Sequence, residues 1–480
     1  MTVRVPASVA WALIAVAIPV ALTWMAPTQA LDLAYQIRAG EGALDHAAVP
    51  RTDTFTYTMD GQPWFDQQWG AQVLLGSAFR VGGWAGLDLL RGALVGLTVW
   101  FVYAACRSRG AAPMGAALLA LAGWAVAAPV MTQLRPQLVA TTAVAAVVWV
   151  LASRAGSPGR VWCIPLLTLV VVNLHGSFPI VLVLLGLALL EDRHDRASRR
   201  RLVGVGALSL LATALTPFGP SVWAYVVELA TDPVVAEHIG EWAPPSLGSA
   251  SGVLFVASVV VVAGALLVFR RGVRPIDLVE LAVFAGASAV AVRAVVWWAI
   301  VAPVVIAGVL VRGTEHLRDD ADGRSTTPAT ILAAVCCVVA IIAFVGARGV
   351  DERTGAPRML SFAPEDLVAV LRDAAPAGSN VFASQLHASW AELSAPGFRY
   401  MVDSRVELFP AEVWDDYFRV SAGADGWEAI LDRADVGALL LEADQASGLR
   451  EALQDAEGWR RVTETDAGAV YVRDRALRGG

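Results

Sequence analysis

The sequence predicts an α-helical polytopic membrane protein of about eleven transmembrane helices, N-terminus inside, with a C-terminal extracytoplasmic α/β domain. Three observations predict it. Of the 480 residues, 56% are hydrophobic and only 16% charged, and the mean hydropathy is +0.58; an ordinary soluble chain carries about 25% charged residues. The apolar residues come in runs of about 16–20 between short charged stretches, the length one helix needs to cross a bilayer. The last stretch, about 130 residues, loses that pattern and is long enough for a core of its own.

The apolar runs lie at about 8–25, 87–105, 112–130, 136–153, 161–174, 178–191, 202–217, 252–269, 275–292, 296–311 and 329–346. The first has only Arg4 ahead of it and is long for the apolar part of a signal peptide, so it reads as a retained helix. No lysine occurs; all 36 basic residues are arginine. They gather in the loops Arg107–Arg109, Arg154–Arg160, Arg193–Arg201, Arg270–Arg274 and Arg312–Arg324. Counted from an inside N-terminus, these loops share one side, the positive-inside pattern of a plasma-membrane protein. Residues 1–349 are thus the membrane domain, with 31–69 its first extracytoplasmic loop containing interfacial helices, and 350–480 form the extracytoplasmic domain.

In that tail, "PEDLVAVLRDAA" has helical spacing after Pro364, while "SNVFAS", "FRYMVDS" and "VGALLLEA" read as strands. "QASGLREALQDA" reads as a helix, and "WRRVTETDAGAVYVR" as a hairpin turning near Gly468. Asp403 and Arg405 read as an internal ion pair. No phosphate-binding glycine loop occurs. Cys106, Cys163, Cys336 and Cys337 lie in or beside apolar runs without metal-ligand spacing, and a net charge of −7 argues against a nucleic-acid partner.

The candidate chemistry sits where charge breaks the pattern. The first loop holds six carboxylates, Asp32, Glu41, Asp45, Asp53, Asp60 and Asp66, beside Arg38 and Arg51. Keeping positive charge inside explains their sign, but not their placement. Asp32 follows the first span directly, where lost hydration prepares a carboxylate to act as a base; Asp53 is a second candidate base or a holder of acceptor hydroxyls. Arg135, Arg293 and His175 fall at outer span ends, on the face the other arginines avoid. Each alone also reads as a snorkelling or structural residue. Together they suggest a site for an anion, for which a lipid phosphate is the natural occupant at that depth. Trp64, Gln68, Glu241 and Trp242 are candidates for a sugar or acceptor pocket; the tryptophans and Glu241 equally suit an interfacial anchor. Most charges cluster at span ends; Glu280, about one turn inside the ninth span, is the main exception.

The segments "LDLAYQIRAGEGAL", "VPRTDTFTYTMDGQPWFDQQW", "LRPQL", "NLHGSF", "LTPFGPSVWAY", "IGEWAPPS", "VRAVVWWAIVAP" and "VDSRVELFP" extend over nearly the whole chain. In this order they resemble a bacterial branch of the GT-C glycosyltransferases. The resemblance implies a polyprenyl-phosphate-linked sugar as donor, a cell-envelope glycan, lipid or protein as acceptor, and contact with membrane lipids. It also implies inversion, with a carboxylate base and Arg135 and Arg293 on the departing phosphate. No metal site is read from the sequence, although a divalent cation at Asp53 stays open. A transporter or lipid flippase, and a non-catalytic envelope assembly protein, are the alternatives.

Overall fold

The fold comes from a computed structural model that describes residues 5–29, 31–314, 327–351, 355–360 and 363–474. Its helices are, in chain order, α1 (Ala7–Met25), α2 (Leu31–His46), α3 (Trp69–Ser108), α4 (Pro113–Met131), α5 (Pro136–Ser153), α6 (Ile164–Leu174) and α7 (Pro179–Glu191). There follow α8 (Arg196–Ala212), α9 (Val222–Thr231), α10 (Pro233–His238), α11 (Ala250–Val268), α12 (Pro275–Val290), α13 (Val295–Gly313) and α14 (Thr327–Ala347). Proline at the first turn starts α4, α5, α7 and α12, where its missing N–H has no intrahelical acceptor to lose. Every apolar run falls on a helix. Among the described residues seven helices, α1, α3, α4, α5, α11, α13 and α14, are long and apolar enough to cross a membrane. Shorter apolar helices cover Pro158–Leu174 and Pro179–Glu191. The protein is therefore a membrane protein, mostly helical, with a small C-terminal sheet.

The chain divides into two compact units. The first comprises Met1–Ala26, Ala85–Val227 and Ile239–Ala347. Its interior helices are α5 and α13, buried on nearly every face, whereas α11 and α14 turn most of their valines and isoleucines outward. A helix apolar all round belongs in such an interior or against lipid. At one end of this unit the arginine loops converge. Arg109 grips Glu191 with both terminal nitrogens, at 2.9 and 3.1 Å. Arg154 reaches Glu191 at 2.6 Å and Asp192 at 2.8 Å. Arg274 joins Glu191 at 2.7 Å to Asp277 at 2.8 Å, and Arg312 meets Asp277 at 2.5 Å.

The second unit gathers three separate stretches, Pro27–Trp84, Glu228–His238 and Arg348–Gly480. Its sheet contains β1 (Asn380–Ala383), β2 (Arg399–Tyr400), β3 (Val436–Glu442), β4 (Trp459–Thr465) and β5 (Gly468–Arg473), in the order β2-β1-β3-β5-β4. β1 runs parallel to β2 and β3, and the β4–β5 hairpin adds antiparallel. The sequence grouped residues 31–69 with the spans; in the fold they pack with the tail. The physical reason is the open edge of β2: Tyr400 N–H donates to Phe55 O at 3.2 Å, and Tyr57 N–H donates to Tyr400 O at 3.0 Å. Backbone groups of a bare strand edge need such partners.

Helix α3 is broken at Gly83, whose φ of 57° suits glycine. Its first arm belongs to the second unit, and the chain from Ala85 onward to the first. Before that break α3 crosses α2 backbone to backbone: a Cβ on Gly40 would lie 1.9 Å from the Gln72 carbonyl oxygen. Gly40→Ala is therefore expected to force the helices apart and cost about 1–3 kcal/mol. Thermal unfolding of the purified protein checks this, and an unchanged midpoint would show a looser crossing.

Candidate active site

The second unit is built around one buried cation. Arg405 is 1% exposed in its side chain, and its two carboxylate partners are wholly buried. Its Nη2 lies 2.6 Å from Asp53 Oδ1 and 2.5 Å from Asp403 Oδ2, while Nε lies 2.9 Å from Asp403 Oδ2. The guanidinium stacks over Trp64 and Phe55, 4.5 and 4.8 Å from the ring centroids. Thr56 gives Asp53 Oδ2 two more hydrogen bonds, from N–H at 3.0 Å and from Oγ1 at 2.6 Å. Burial pulls the Asp53 carboxyl up, but Arg405 and Thr56 outweigh it and hold its pKa below the usual carboxylate value.

This geometry shows what three of the expected site residues touch in the fold. Asp53, read as a second base or a cation holder, has both oxygens committed and is a poor proton acceptor; it clips the loop to the tail. Trp64, read as lining a sugar pocket, is a buried wall beneath Arg405. Gln68 accepts a hydrogen bond from Gln36 Nε2 at 2.7 Å, locking α2 to the start of α3. Asp403 and Arg405 do pair. Among the described residues no group of three or more His, Cys, Asp or Glu is arranged to hold a metal.

Asp32 lies in the first turn of α2, where the helix dipole favours a carboxylate. It is half-buried, one turn before buried Tyr35. Burial, then Asp32 and Glu407, push the Tyr35 hydroxyl up; Asp66 adds to this and Arg405 opposes it. Asp66 is itself 2% exposed and hydrogen-bonded by Gln72 Nε2 at 2.7 Å. Burial raises its pKa to about 7 despite Arg405 and Gln72. Glu407 and Asp66 thus lie near enough to Tyr35, one helical turn from Asp32, to act on its hydroxyl.

In the first unit the expected phosphate-binding residues converge. Pro136 starts α5 and leaves Arg135 at its N-cap in extended conformation, where its side chain pairs with Glu241. Trp242 follows in the turn Gly240–Trp242, and the Arg293 guanidinium lies 4.3 Å from the centroid of its ring. Backbone bonds tie the two segments: Val292 N–H donates to Ala243 O at 3.0 Å, and Gln137 Nε2 to Arg293 O at 3.0 Å. His175, extended beyond α6, is buried; burial and then the charge of Arg293 lower its pKa to about 3, so the imidazole is neutral. It offers a hydrogen bond near Arg293, not a charge. A small hollow beside Arg135 is lined by Met131, Gln133, Gln137, Thr141 and Val296. This cluster lies at the start of α5 and α13, and the arginine network at their far ends, about 27 Å along α5.

No family model matches the sequence, and no curated protein matches it either. Solved structures match its fold. The mycobacterial arabinofuranosyltransferase AftD aligns with a TM-score of 0.59 and 15% identity over 98% of this chain, which spans only 40% of AftD. ArnT from Cupriavidus metallidurans aligns at 0.57 and 12% identity over 98% of both chains, and its undecaprenyl phosphate complex at 0.54. The Archaeoglobus fulgidus oligosaccharyltransferase aligns at 0.55 and 12% identity, over 98% of this chain and 74% of its own. At such identities the fold alone is shared.

Two outcomes follow from the Arg405 cluster. Arg405→Met strands two buried carboxylates and should cost about 3–5 kcal/mol, read by thermal unfolding. The stability that Asp53 gains from its lowered pKa is present above the unfolded value of about 3.9 and is lost as pH falls through the folded value. Asp53→Asn should therefore be less stable at neutral pH and should flatten the acid limb of the stability profile. An unaltered acid limb would remove Asp53 from that account.

Proposed function

We propose that this chain, which has the GT-C glycosyltransferase fold, moves a sugar from a polyprenyl-phosphate-linked donor to a cell-envelope glycan, lipid or protein acceptor. The carrying observation is the convergence of Arg135, Arg293 and His175 with Glu241 and Trp242, at the helix ends opposite the arginine-loop network. Two guanidiniums and a neutral imidazole suit a lipid phosphate anion more than a neutral solute. ArnT, of the same fold, has been captured with undecaprenyl phosphate. The meeting of Arg109, Arg154, Arg274 and Arg312 in one network supports an orientation with the basic loops inside and the N-terminus with them. The protein is then multi-pass, in the plasma membrane, and its tail extracytoplasmic.

The chemistry needs few groups. Asp32 takes the proton of the acceptor hydroxyl as that oxygen bonds the anomeric carbon from the face opposite the phosphate. The bond from that carbon to the phosphate oxygen breaks, and its electron pair leaves on polyprenyl phosphate. The leaving group is already an anion, so no general acid is required. Arg135 and Arg293 stabilise the added charge, and Glu241 and Trp242 border the donor sugar. Inversion results. No resident metal enters these steps.

The test is turnover of a panel of polyprenyl-phosphate sugars by the purified protein. Asp32→Asn should lower kcat by about 10²–10⁴ while donor binding is kept. Arg293→Ala should raise the donor KM and lower kcat, together by about 10²–10³ in kcat/KM. Normal turnover by Asp32→Asn would remove Asp32 as base, and a defect in acceptor affinity alone would remove Arg293 from the phosphate.

A further inference from the structure

A cavity of about 190 Å³ in the tail is lined by the helix Trp427–Arg433 on one side and by the open end of the β4–β5 hairpin on the other. Trp459 and Arg473 are cross-strand partners there, so their side chains leave the sheet on one face. The Arg473 guanidinium lies 4.7 Å from the indole centroid. Glu428 and Asp432 stand four residues apart, on one face of the helix. Arg473 Nη1 donates to Asp432 Oδ1 at 2.6 Å. Glu457 and Asp474 complete the lining, and Asp474 N–H donates to Gly458 O at 2.8 Å, tying the hairpin end together. The Arg473 side chain is only 7% exposed. Its Nε is nonetheless buried without a hydrogen-bond partner among the described residues. A buried donor left unpaired is costly, and a ligand that accepts from it recovers that cost.

We propose that this cavity binds a neutral carbohydrate, with the indole of Trp459 against the sugar ring, the carboxylates accepting from its hydroxyls and Arg473 Nε donating to one of its oxygens. The set of polar groups selects this class. Four carboxylates against one guanidinium repel a phosphate or an acidic sugar. An ammonium group would satisfy the carboxylates but, having no acceptor, leaves Nε unpaired. A sugar hydroxyl does both, donating to a carboxylate and accepting from Nε. Hydrogen bonds to ionised groups are the strong kind, and the indole supplies the apolar face that a sugar ring covers. The volume is several times what one water needs, room for one sugar unit. The site takes no part in the transfer step and stands whether or not the chain is a glycosyltransferase. Where that reading also holds, the cavity narrows the acceptor to a glycan.

Saturation-transfer NMR of the full chain, held in a detergent without sugar head groups, tests this with a panel of neutral oligosaccharides built from pentose and hexose units. At least one should receive saturation at its ring protons, with an affinity that Trp459→Ala lowers by about tenfold or more. Arg473→Lys keeps a charge beside Asp432 but removes Nε and the planar stack, and should weaken binding by about tenfold. Glu428 and Glu457 are exposed, so the double variant Glu428→Ala, Glu457→Ala spares the fold; it should also weaken binding by about tenfold. Unchanged affinity in that double variant or in Trp459→Ala overturns the proposal, and so does silence from every neutral oligosaccharide. Glucosamine is the cationic probe. If it binds where neutral sugars do not, and about 0.5 M sodium chloride abolishes the signal, the cavity is an acidic patch and the proposal falls. Neutral-sugar binding by a chain that transfers no sugar upholds this site and counts against the glycosyltransferase reading alone. Thermal unfolding of each variant separates a lost contact from a lost fold.

Discussion

The second unit depends on the burial of one guanidinium. A lone charge in that interior would be prohibitively costly, and removing one partner from a buried pair costs several kcal/mol. Arg405 is held by two carboxylates and walled by aromatic rings. One carboxylate, Asp403, is a neighbour in sequence; the other, Asp53, comes from 352 positions away. That long-range bond fixes the loop against β2 and sets Trp64 and Tyr35 under the cation.

The first unit solves a different problem. Its interior helices α5 and α13 carry no charged residue between their ends, so charged groups collect at the two ends. One end is a closed network in which Glu191 and Asp277 satisfy arginines from several loops. At the other, Glu241 meets Arg135, and Arg293 rests on an indole.

Much of this was legible in the sequence because apolar length is a local property. Every span expected from hydropathy falls on a helix, and the hairpin around Gly468 forms as its pattern suggested. The pairing of Asp403 with Arg405 followed from spacing. What escaped was non-local. Nothing in "PRTDTFTYT" announces that its aspartate belongs to an arginine in the tail. The first arm of α3 escaped because Arg80, Gly82 and Gly83 mask its apolar face. Glu407 and Asp66 escaped because isolated acidic residues acquire meaning only from burial and neighbours. The arginine loops were read as bulk charge, whereas folding draws Arg109, Arg154, Arg274 and Arg312 into one network on Glu191 and Asp277.

The discontinuity of the second unit has a consequence for biogenesis. Asp53 leaves the ribosome 352 residues ahead of Arg405, an interval of about 20–70 s at synthesis rates of about 5–20 residues per second. Throughout it Trp64 lacks the Arg405 guanidinium and the stretch around Phe55 has no strand edge to join. The nascent chain carries a sticky, half-made surface for as long as the remaining helices take to emerge. A chaperone of the membrane surface, or a swapped tail from a second nascent copy, has that window in which to engage it.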